Sequence, residues 1–396
     1  MSDNLWLLAM ADWTAIFHFL LIGSTVVVAY TYLGYPLLLL TICAFRHRRN
    51  AEPGYLPFIS ILIAAYNEEE SIGKKIEQTL ALDYPPDKME VLILSDYSCD
   101  RTDAIVQFIS DPRVQLLRMP ERRGKTHAQN EGVNAAKGSV LVFSDATTVY
   151  HRQALRYLVG HYKDPTVGAV TGRNLYFDPQ GNSPTGVGTM LFWNYENAIK
   201  VMQSRISTLT GCVGCIYSVR KDAYTRLPDD VISDLVQPLK AIQKGYRIVF
   251  EERALAYEET TLSSPEEFGM RVRVITRGMR GLLTVSDLLM PWKGGWVSFQ
   301  LLSHKVLRWL VPFFLMVAFV STCLAGESRE IRFAFWLQAL FYVAAALPLV
   351  APLHKYWKVL GIPHYFCTLN AAALVSMIEV IRGRKYVVWQ TVRKAT

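Results

Sequence analysis

The sequence contains few charged residues for its length. Asp, Glu, Lys and Arg make up 19% of the 396 residues, and hydrophobic residues make up 51%, whereas about 25% charged residues is typical of globular proteins. Each of four windows without any Asp, Glu, Lys or Arg approaches or exceeds the roughly 20 apolar residues that cross a bilayer as a helix. A wholly soluble, a fibrous and a disordered protein are therefore excluded. The four windows are Trp13–Phe45, Trp309–Gly326, Phe333–His354 and Val359–Ile378.

Signatures of several other protein classes are also missing. No Gly-x-x-x-x-Gly-Lys loop occurs and no Gly-x-Gly-x-x-Gly follows the first strand pattern, which disfavours P-loop and dinucleotide-dependent enzymes. The six cysteines are scattered, and Cys43 and Cys323 lie in apolar windows, which argues against a disulfide framework. Cys212 and Cys215 have zinc-knuckle spacing but no second Cys or His pair nearby. We therefore expect packed small residues there rather than a zinc site.

The first charge-free window predicts a permanent membrane anchor, because it is much longer than the roughly 7–15 apolar residues of a signal peptide. Arg46, Arg48 and Arg49 follow it directly. The positive-inside rule then places this end, and the domain that follows, on the cytoplasmic side of the membrane. We expect this membrane to be a bacterial inner or plasma membrane. The net charge of +8 is explained by anionic lipid head groups near these windows, so we expect no nucleic acid partner.

The C-terminal part of the sequence leaves the number of spans open. Three further spans after the anchor would place the C-terminus outside the cell. The positive-inside rule nevertheless favours a cytoplasmic tail, because the tail contains Arg382, Arg384, Lys385, Arg393 and Lys394. Either one apolar window is re-entrant or interfacial, or the first window is irregular.

The more polar centre of the chain alternates between strand and helix patterns. Continuous apolar runs with β-branched residues, typical of strands buried on both faces, alternate with segments of helical spacing. This alternation predicts an α/β domain rich in parallel strands. The expected strands are Phe58–Ala65, Val91–Ser95, Val114–Leu117 and Ser139–Ser144, and the expected helices are Glu68–Leu82, Asp100–Ile109 and Gly124–Ala136.

Polar side chains follow three of these strands. Tyr66, Asp96 and Asp145 each stand at a strand end, where open α/β sheets bind their ligands. Any single carboxylate could instead cap the following helix, but three strand ends converge on one crevice. Lys125 adds a positive charge and free backbone N–H groups at a helix start, which suits a phosphate. Because a carboxylate beside a divalent cation can hold a diphosphate, the sequence predicts a nucleotide-diphosphate site.

Seven segments resemble, in order and spacing, those of the inverting family-2 glycosyltransferases. The closer likeness is to the membrane-embedded branch, which includes cellulose, hyaluronan and chitin-oligosaccharide synthases and exopolysaccharide transferases. The likeness covers residues 57–309, and the ordered set is specific although each segment alone is not. The segments are Ile59–Ser71 (ISILIAAYNEEES), Leu92–Thr102 (LILSDYSCDRT), Gly124–Gly132 (GKTHAQNEG), Val142–Tyr150 (VFSDATTVY), Gly211–Tyr224 (GCVGCIYSVRKDAY), Ile232–Glu251 (ISDLVQPLKAIQKGYRIVFE) and Ser303–Trp309 (SHKVLRW).

The resemblance implies an α/β glycosyltransferase domain of the A type, which binds a nucleotide-diphospho-sugar, together with transmembrane and interfacial helices. It implies that Tyr66 and Glu68 border the uracil or ribose. Asp96 would bind the nucleoside, and Lys125 would lie near the diphosphate. Asp145 stands at the first position of the family's Asp-x-Asp metal motif, which implies Mg²⁺ or Mn²⁺ as cofactor.

Asp234 matches the family's catalytic base, which deprotonates the acceptor hydroxyl. The alternative interpretation is a helix N-cap, since residues 235–244 have helical spacing. Asp229 and Asp230 are rival candidates for the base.

At three positions the sequence lacks an acid that is common in the family. Thr147 occupies the second position of the metal motif and is a weaker ligand than a carboxylate. Asp145 and the diphosphate itself would then hold the metal, because Mg²⁺ often keeps water and substrate phosphates as ligands; a second protein ligand elsewhere is the alternative. The other two departures are Ser95 and Ser233, which replace acids common just before Asp96 and Asp234.

Residues 265–283 predict an amphipathic helix shortly before a membrane span, which should lie in the interface plane. Its arginines would bind lipid head groups, or Arg277 would face the donor diphosphate as in the family's interfacial Gln-x-x-Arg-Trp helix. Val274 and Gly278 stand where that Gln and Trp would be, which weakens any claim of processive synthesis. The apolar face comprises Val272, Ile275, Met279 and Leu282, and the basic face Arg273, Arg277 and Arg280.

These patterns predict four regions and one main activity. The regions are an N-terminal transmembrane anchor (1–50), a cytoplasmic glycosyltransferase domain (51–262), amphipathic interfacial helices (263–305) and a C-terminal transmembrane region with a basic tail (306–396). The activity is inverting transfer of a sugar from a nucleotide-diphospho-sugar, UDP-linked by the resemblance, to a saccharide acceptor in polysaccharide or exopolysaccharide synthesis.

Two alternatives to this activity remain open. One is transfer of a single sugar to a lipid or lipid-linked acceptor. The other is a catalytically weak nucleotide-sugar-binding subunit of a synthase assembly, with membrane lipids and other synthase subunits as partners.

Overall fold

The computed structural model describes residues 2–46, 52–177, 186–259, 264–325, 328–350 and 357–388. The expected region boundaries at 50 and 262 and the basic residues Arg48, Arg49, Arg393 and Lys394 lie outside these ranges. The strands are β1 (Ile59–Ala65), β2 (Met89–Ser95), β3 (Val114–Arg118), β4 (Val140–Asp145), β5 (Val149–Tyr150), β6 (Val167–Phe177), β7 (Ile216–Arg220) and β8 (Arg247–Glu259). The helices are α1 (Ser2–Ala29), α2 (Tyr35–Cys43), α3 (Ile72–Leu80), α4 (Thr102–Phe108), α5 (Lys125–Ala135), α6 (Ala154–Val159), α7 (Gly186–Ile206), α8 (Ser233–Gln243), α9 (Ser264–Leu283), α10 (Pro291–Gly294), α11 (Trp296–Leu301), α12 (Leu307–Leu324), α13 (Arg329–Val350) and α14 (Gly361–Ile381).

The eight strands of the described chain form one mixed sheet in the order β3–β2–β1–β4–β7–β6–β8–β5. Strands β3, β2, β1 and β4 are parallel, whereas β7 runs antiparallel to β4 and β6. Ala65 of β1 pairs with Ser95 of β2, and Ala64 pairs with Asp145 of β4. The three predicted strand ends therefore lie at one edge of the sheet. The predicted α/β fold rich in parallel strands is confirmed.

The first two strands are buried along their whole length, as continuous apolar runs covered on both faces should be. Helix α5 packs closely on them at Gly132, where an added Cβ would lie 2.6 Å from the Leu94 side chain. Only glycine allows this approach. The close packing fixes the start of α5, and with it Lys125, at the carboxyl ends of the strands.

Within the described residues, four helical segments are long and apolar enough to cross a membrane. The first is irregular in its middle, where a π-helical turn, Tyr30–Gly34, separates α1 from α2. Pro36 is the second residue of α2, and because proline lacks a backbone N–H it cannot donate a hydrogen bond to the turn before it. A second π-helical turn, Leu302–Val306, joins α11 to α12. The four segments are Trp13–Ala44, Trp296–Leu324, Arg329–Val350 and Gly361–Ile381.

Helix α14, the last of these segments, contacts the sheet-bearing side of the molecule at both ends. Near its start, the Tyr365 hydroxyl donates to Glu267 of α9 over 3.3 Å. Beyond its end, Lys385 Nζ lies 3.7 Å from Asp230 Oδ2. Both ends of α14 therefore lie close to elements outside the apolar segments, α9 at its start and the loop before α8 beyond its end.

Candidate active site

A cavity of about 310 Å³ opens at the carboxyl ends of β1 and β4, between the sheet and α9. It brings together five of the seven residues that the sequence singled out, and these come from five separate segments of the chain. Tyr66 and Asp96 are not among its lining residues. The five that line it are Glu68, Lys125, Asp145, Asp234 and Arg277.

Lys125 and Asp145 form an ion pair in this cavity. Lys125 Nζ donates to Asp145 Oδ1, and the two side chains are 22% and 34% exposed. Burial lowers the pKa of Lys125, but the charge and hydrogen bond of Asp145 outweigh it, so the pKa is raised overall. The pair places one cation and one carboxylate side by side where the strand end meets a helix N-terminus, an arrangement suited to a diphosphate.

Asp96 holds the backbone turn that leads into α5. Its carboxylate is fully buried and accepts backbone hydrogen bonds from Arg123, over 2.9 Å, and from Gly124, over 2.9 and 3.0 Å. Gly124 has a φ of +91°, which glycine adopts readily and other residues do not, and a Cβ there would collide with the carbonyl oxygen of Val387. Asp96 therefore fixes the start of α5 beneath the C-terminal segment.

Tyr66 lies beside the same turn. The guanidinium of Arg122 sits over its ring, with Cζ 3.6 Å from the ring centroid, a favourable cation–π geometry. The Arg122 charge also lowers the pKa of Asp96, although burial, the largest influence, raises it overall. Tyr66, Arg122 and Asp96 thus form one group beside the cavity rather than within it.

The carboxylate of Asp234 faces the cavity without a partner. Among the residues that the structure describes, no side chain or backbone group bonds to it, although its carbonyl oxygen accepts from Cys212 N over 2.7 Å. A Cβ on Gly214 would lie 2.7 Å from Asp234 Oδ2, so glycine leaves room for the carboxylate. Burial raises the pKa of Asp234 above its ordinary value, and the charge of Lys125 offsets this only in part. Asp234 lies in the first turn of α8, which begins at Ser233.

The two rival acids are both engaged in ion pairs. Asp229 Oδ2 accepts from Arg123 over 2.8 Å, and Asp230 Oδ2 accepts from Arg280 over 2.9 Å. Neither lines the cavity. The geometry therefore separates Asp234 from both neighbours.

The arginines of α9 turn toward the domain. Arg277 Nη2 donates to Thr126 Oγ1 over 2.8 Å and to the carbonyl oxygen of Val231 over 2.5 Å. The side chain is buried, and burial lowers its pKa to about 10. Arg277 therefore ties α9 to α5 and to the loop before α8 while lining the cavity.

Glu68 also lines this cavity. Burial raises the pKa of its carboxyl group to about 7, against a hydrogen bond from Ser71 Oγ over 2.7 Å. This side chain changes its charge near neutral pH, at the rim where the nucleoside was expected.

Divalent metal ligands are sparse in this cavity. No group of three or more His, Cys, Asp or Glu side chains in the described part of the chain could hold a metal ion. Asp145 and Thr147 line the cavity together, which suits a hard cation only if phosphate oxygens and water complete its coordination. Glu258 lines it as well, but it accepts from Thr148 over 3.0 Å and from Asn174 over 2.6 Å.

The Cys212–Cys215 pair belongs to the loop that backs Asp234. Cys215 is buried, and neither cysteine forms a disulfide. The loop acts through its backbone, which contacts Asp234 at Cys212 N and at Gly214.

A second cavity, which the sequence analysis did not predict, lies behind Asp234 and has a volume of about 340 Å³. Several of its polar and charged residues come from α7, from the π-helical turn before α12 and from the first turn of α12. The segment Ser303–Trp309, which resembles the family without an assigned role, is a sequence signal for the last two groups. These residues are Glu196, Lys200, Gln203, His304, Lys305 and Arg308, and Thr210, Asp234, Arg271 and Asn370 line the cavity as well.

Comparison with known sequences shows which family the central part of the chain matches. Residues 60–227 match the model of the family described as Glycosyl transferase family 2. Poly-beta-1,6-N-acetyl-D-glucosamine synthase of Staphylococcus aureus (strain COL) is 30% identical over 257 residues, which cover 60% of each protein. The Staphylococcus epidermidis protein of the same name is 29% identical over 235 residues, covering 57% of this chain and 55% of that one. The chain thus spans about 60% of the length of the former relative and 55% of the latter.

A solved structure shows the same fold over most of the chain. The mannosyltransferase PcManGT from Pyrobaculum calidifontis, in complex with GDP-Man and Mn²⁺, matches with a TM-score of 0.68 at 22% identity. The match covers 91% of this chain and 99% of that one. The A-type glycosyltransferase fold expected from the sequence is confirmed, and residues 60–227 match the family that the sequence resembled.

Proposed function

We propose, from the glycosyltransferase family 2 domain that residues 60–227 carry, that this enzyme transfers a sugar with inversion to a saccharide acceptor in exopolysaccharide synthesis. The donor is a nucleotide-diphospho-sugar, with UDP as the expected nucleotide. The similarity to two poly-beta-1,6-N-acetyl-D-glucosamine synthases supports the polysaccharide product. In the reaction, the acceptor oxygen bonds to the anomeric carbon as the bond to the diphosphate breaks.

The observation that carries the proposal is the unpaired carboxylate of Asp234. It lines both the cavity at the strand ends and the cavity behind it. A general base must lie within reach of the acceptor hydroxyl and have a pKa near the working pH. Burial has already raised the pKa of Asp234. Asp234 would accept the hydroxyl proton while the diphosphate leaves on the other side.

The leaving diphosphate would lie against Lys125 and Asp145. Lys125 supplies a fixed positive charge and the N-terminus of α5 supplies dipoles, both preorganised for the developing negative charge. A divalent cation, Mg²⁺ or Mn²⁺, would neutralise part of that charge when held by Asp145, Thr147 and the diphosphate. Arg277 would keep α9 closed over this site, and Glu68 would face the ribose.

The experiment that tests the proposal is a screen of UDP- and GDP-sugars for nucleotide release by the purified protein. Release from at least one sugar, rising with acceptor, is expected. No release from any sugar would favour the alternative of a catalytically silent binding subunit. Mass spectrometry of the product would separate a polymer from a single addition to a lipid-linked acceptor.

We expect Asp96→Ala to weaken UDP binding measured by calorimetry. Replacing the carboxylate removes three hydrogen bonds to the turn before α5, each worth about 1.5–3 kcal/mol when the acceptor is charged. Titration with inorganic pyrophosphate separates two causes. An equal loss for UDP and pyrophosphate means that Asp96 acts through the turn, and a loss for UDP alone means that it touches the nucleoside. Unchanged affinity for both would remove Asp96 from the site.

We extend the proposal to the four regions of the chain and to the way in which the apolar segments cross the membrane. Trp13–Ala44 would lead into the cytoplasmic domain, α12 and α13 would cross the membrane and return, and α14 would lie along the interface with α9. The contacts at both ends of α14 support this arrangement, and it places the basic tail in the cytoplasm.

This topology predicts which introduced cysteines react with a membrane-impermeant maleimide. Each cysteine is introduced singly into a variant in which the native cysteines have been replaced. Arg384→Cys should be labelled in inverted vesicles and not in intact cells. Ser328→Cys, between α12 and α13, is the matched control and should show the reverse. Labelling of Arg384→Cys from outside would contradict the proposed position of α14.

A further inference from the structure

Lys75 is a buried lysine on α3 that lies outside the cavity at the strand ends. It is only 4% exposed, and it shares its helix face with Ile72 and Ile76, which belong to the hydrophobic core. A buried ammonium group is costly unless hydrogen bonds and nearby charges compensate for the lost water. The groups that compensate Lys75 therefore indicate why a lysine stands at this apolar position.

The ammonium of Lys75 bonds the chain just before and just after residues 145–147. Nζ donates to Ser144 Oγ over 2.8 Å and to the carbonyl oxygen of Thr148 over 2.6 Å. Ser144 directly precedes Asp145, and Thr148 directly follows Thr147. The side chains of Asp145 and Thr147 line the cavity at the strand ends. One buried group therefore brackets the turn in which the cation ligands are expected.

The far end of this turn is held from a second side as well. Thr148 N donates to the carbonyl oxygen of Asp145 over 3.3 Å, and Thr148 Oγ1 donates to Glu258 over 3.0 Å. Glu258 in turn accepts from Asn174 over 2.6 Å. Thr148 is thus tied to α3 through Lys75 and to β8 through Glu258, so the backbone after Thr147 has a fixed position.

The positive charge of Lys75 acts on Asp145 without a direct bond. Both oxygens that accept from Nζ are uncharged, and within the described ranges of the chain Lys75 forms no ion pair with a carboxylate. Burial lowers the pKa of Lys75 to about 8, and the charge of Asp145 is the largest influence that opposes this. By the same interaction Lys75 favours the ionised form of Asp145, which is the form that binds a hard cation.

We propose that Lys75 is a positioning residue for the cation, and that it holds residues 145–147 so that Asp145 and Thr147 meet a divalent cation on the donor diphosphate. The inference rests on the proposed function, since a diphosphate donor and a cation are taken to meet at Asp145. Lys75 touches neither of them. It acts through Ser144 and Thr148.

A fixed turn matters here because the cation has a competitor. Asp145 is paired with Lys125 in this structure, and a cation can use the carboxylate only when that pair opens. A loose turn would let Asp145 follow Lys125, whereas a turn held at both ends keeps the carboxylate in place. Thr147 is a weak ligand, and Mg²⁺ requires nearly ideal octahedral geometry, so no second protein carboxylate on the turn would compensate for a displaced Asp145.

The alternative role for Lys75 is packing alone. Its ammonium lies 4.6 Å from the ring centroid of Tyr150, and this contact would stabilise the layer between α3 and the sheet whether or not a cation binds. Loss of such a contact lowers stability but does not alter how a cation affects nucleotide binding. The two bonds that bracket residues 145–147 favour the positioning role.

Calorimetric titration of the full-length protein in nanodiscs with UDP, without and with Mn²⁺, tests the inference. The ratio of the two affinities measures how strongly the cation is coupled to the nucleotide. Lys75→Met should lower this ratio by about tenfold or more, since it removes two hydrogen bonds from a charged donor, and should leave UDP binding without metal unchanged. Ser144→Ala removes one of the two acceptors and should lower the ratio by a smaller factor. Lys74→Met, at the exposed neighbour, is the matched control and should behave as the wild type.

Three outcomes would overturn the inference. An unchanged ratio in Lys75→Met with a lower unfolding temperature would mean that Lys75 serves packing alone. An equal loss of UDP affinity with and without Mn²⁺ would place the effect on the nucleotide site as a whole. If Lys75→Met does not fold, Ser144→Ala decides, and a ratio equal to that of the wild type would refute the role. Electron paramagnetic resonance of Mn²⁺ with saturating UDP should give the same order of affinities.

Failure of this inference and failure of the proposed function give different results. A ratio that falls in Lys75→Met, with no nucleotide release from any sugar, would leave the role of Lys75 standing and refute the activity. Nucleotide release from a sugar, with the same ratio in the wild type and in Lys75→Met, would do the reverse. UDP binding by the wild type that does not respond to Mn²⁺ would also overturn the inference, because no cation would then be positioned.

Discussion

Asp234→Asn abolishes sugar transfer: we expect kcat to fall by about 10²–10⁴-fold, the usual contribution of a general base. The amide keeps the shape of the side chain but cannot take the proton of the acceptor hydroxyl. Affinity for UDP, measured by calorimetry, should stay unchanged, because Asp234 contacts neither partner of the Lys125–Asp145 pair through a hydrogen bond. Asp229→Asn and Asp230→Asn serve as controls, since both acids are held in ion pairs outside the cavity.

The pH dependence of kcat in the wild-type enzyme should show the titration of Asp234. The base works only when deprotonated, so kcat falls as the pH drops through the pKa of Asp234. Burial raises this pKa, so the acid limb should begin at a higher pH than an ordinary Asp would give. Wild-type-like turnover in the Asn variant would refute the assignment.

Two glycines in the loop behind Asp234 allow an independent check of its position. A Cβ at Gly214 would lie 2.7 Å from Asp234 Oδ2, whereas one at Gly211 would make an ordinary contact of 3.4 Å with Leu235. Gly214→Ala should therefore displace the carboxylate and lower kcat by about tenfold or more, since small misplacements cost large factors in rate. Gly211→Ala should be close to wild type, and equal activity of the two variants would contradict the geometry.

The strand ends of this site could be predicted from the sequence, because their positions follow from local patterns. Continuous apolar runs fixed β1, β2 and β4, and parallel pairing then required Asp145 to lie near the end of β1. The position of Asp234 came from the resemblance rather than from spacing. No local pattern shows that the carboxylates of Asp229 and Asp230 are already paired.

The cavity behind Asp234 could not be predicted, because it depends on how distant helices pack. Glu196 and Arg308 are separated by 112 residues, and both line this cavity. A lysine within a helix pattern, such as Lys200, ordinarily indicates a solvated face, but Lys200 is buried. The burial of Asp96 was unpredictable for a similar reason, since the segment that covers Gly124 lies at Val387, near the end of the chain.

Asp145→Asn should change the metal dependence of nucleotide binding in a specific way. In the wild type, Mn²⁺ should strengthen UDP binding, because Asp145 can release its ion pair with Lys125 and bind the cation. In the variant, Mn²⁺ should bring no gain, and turnover should fall by about 10²–10³-fold, as when one stabilising group is lost from a developing charge. UDP binding without metal should be unchanged or tighter, because Lys125 loses its carboxylate partner. Lys125→Gln should weaken UDP binding with and without metal.

Thr147 allows the metal site to be tested by adding a carboxylate ligand rather than by removing one. The side chain lines the cavity beside Asp145, and a carboxylate there would give the cation a second charged ligand. Thr147→Asp should therefore increase the affinity of the nucleotide-free protein for Mn²⁺, measured by electron paramagnetic resonance. Thr147→Ala should bind Mn²⁺ as weakly as the wild type until UDP is added, because the diphosphate supplies the missing oxygens. Tight Mn²⁺ binding by the nucleotide-free wild type would mean that another ligand completes the site, and the cation would not depend on the donor.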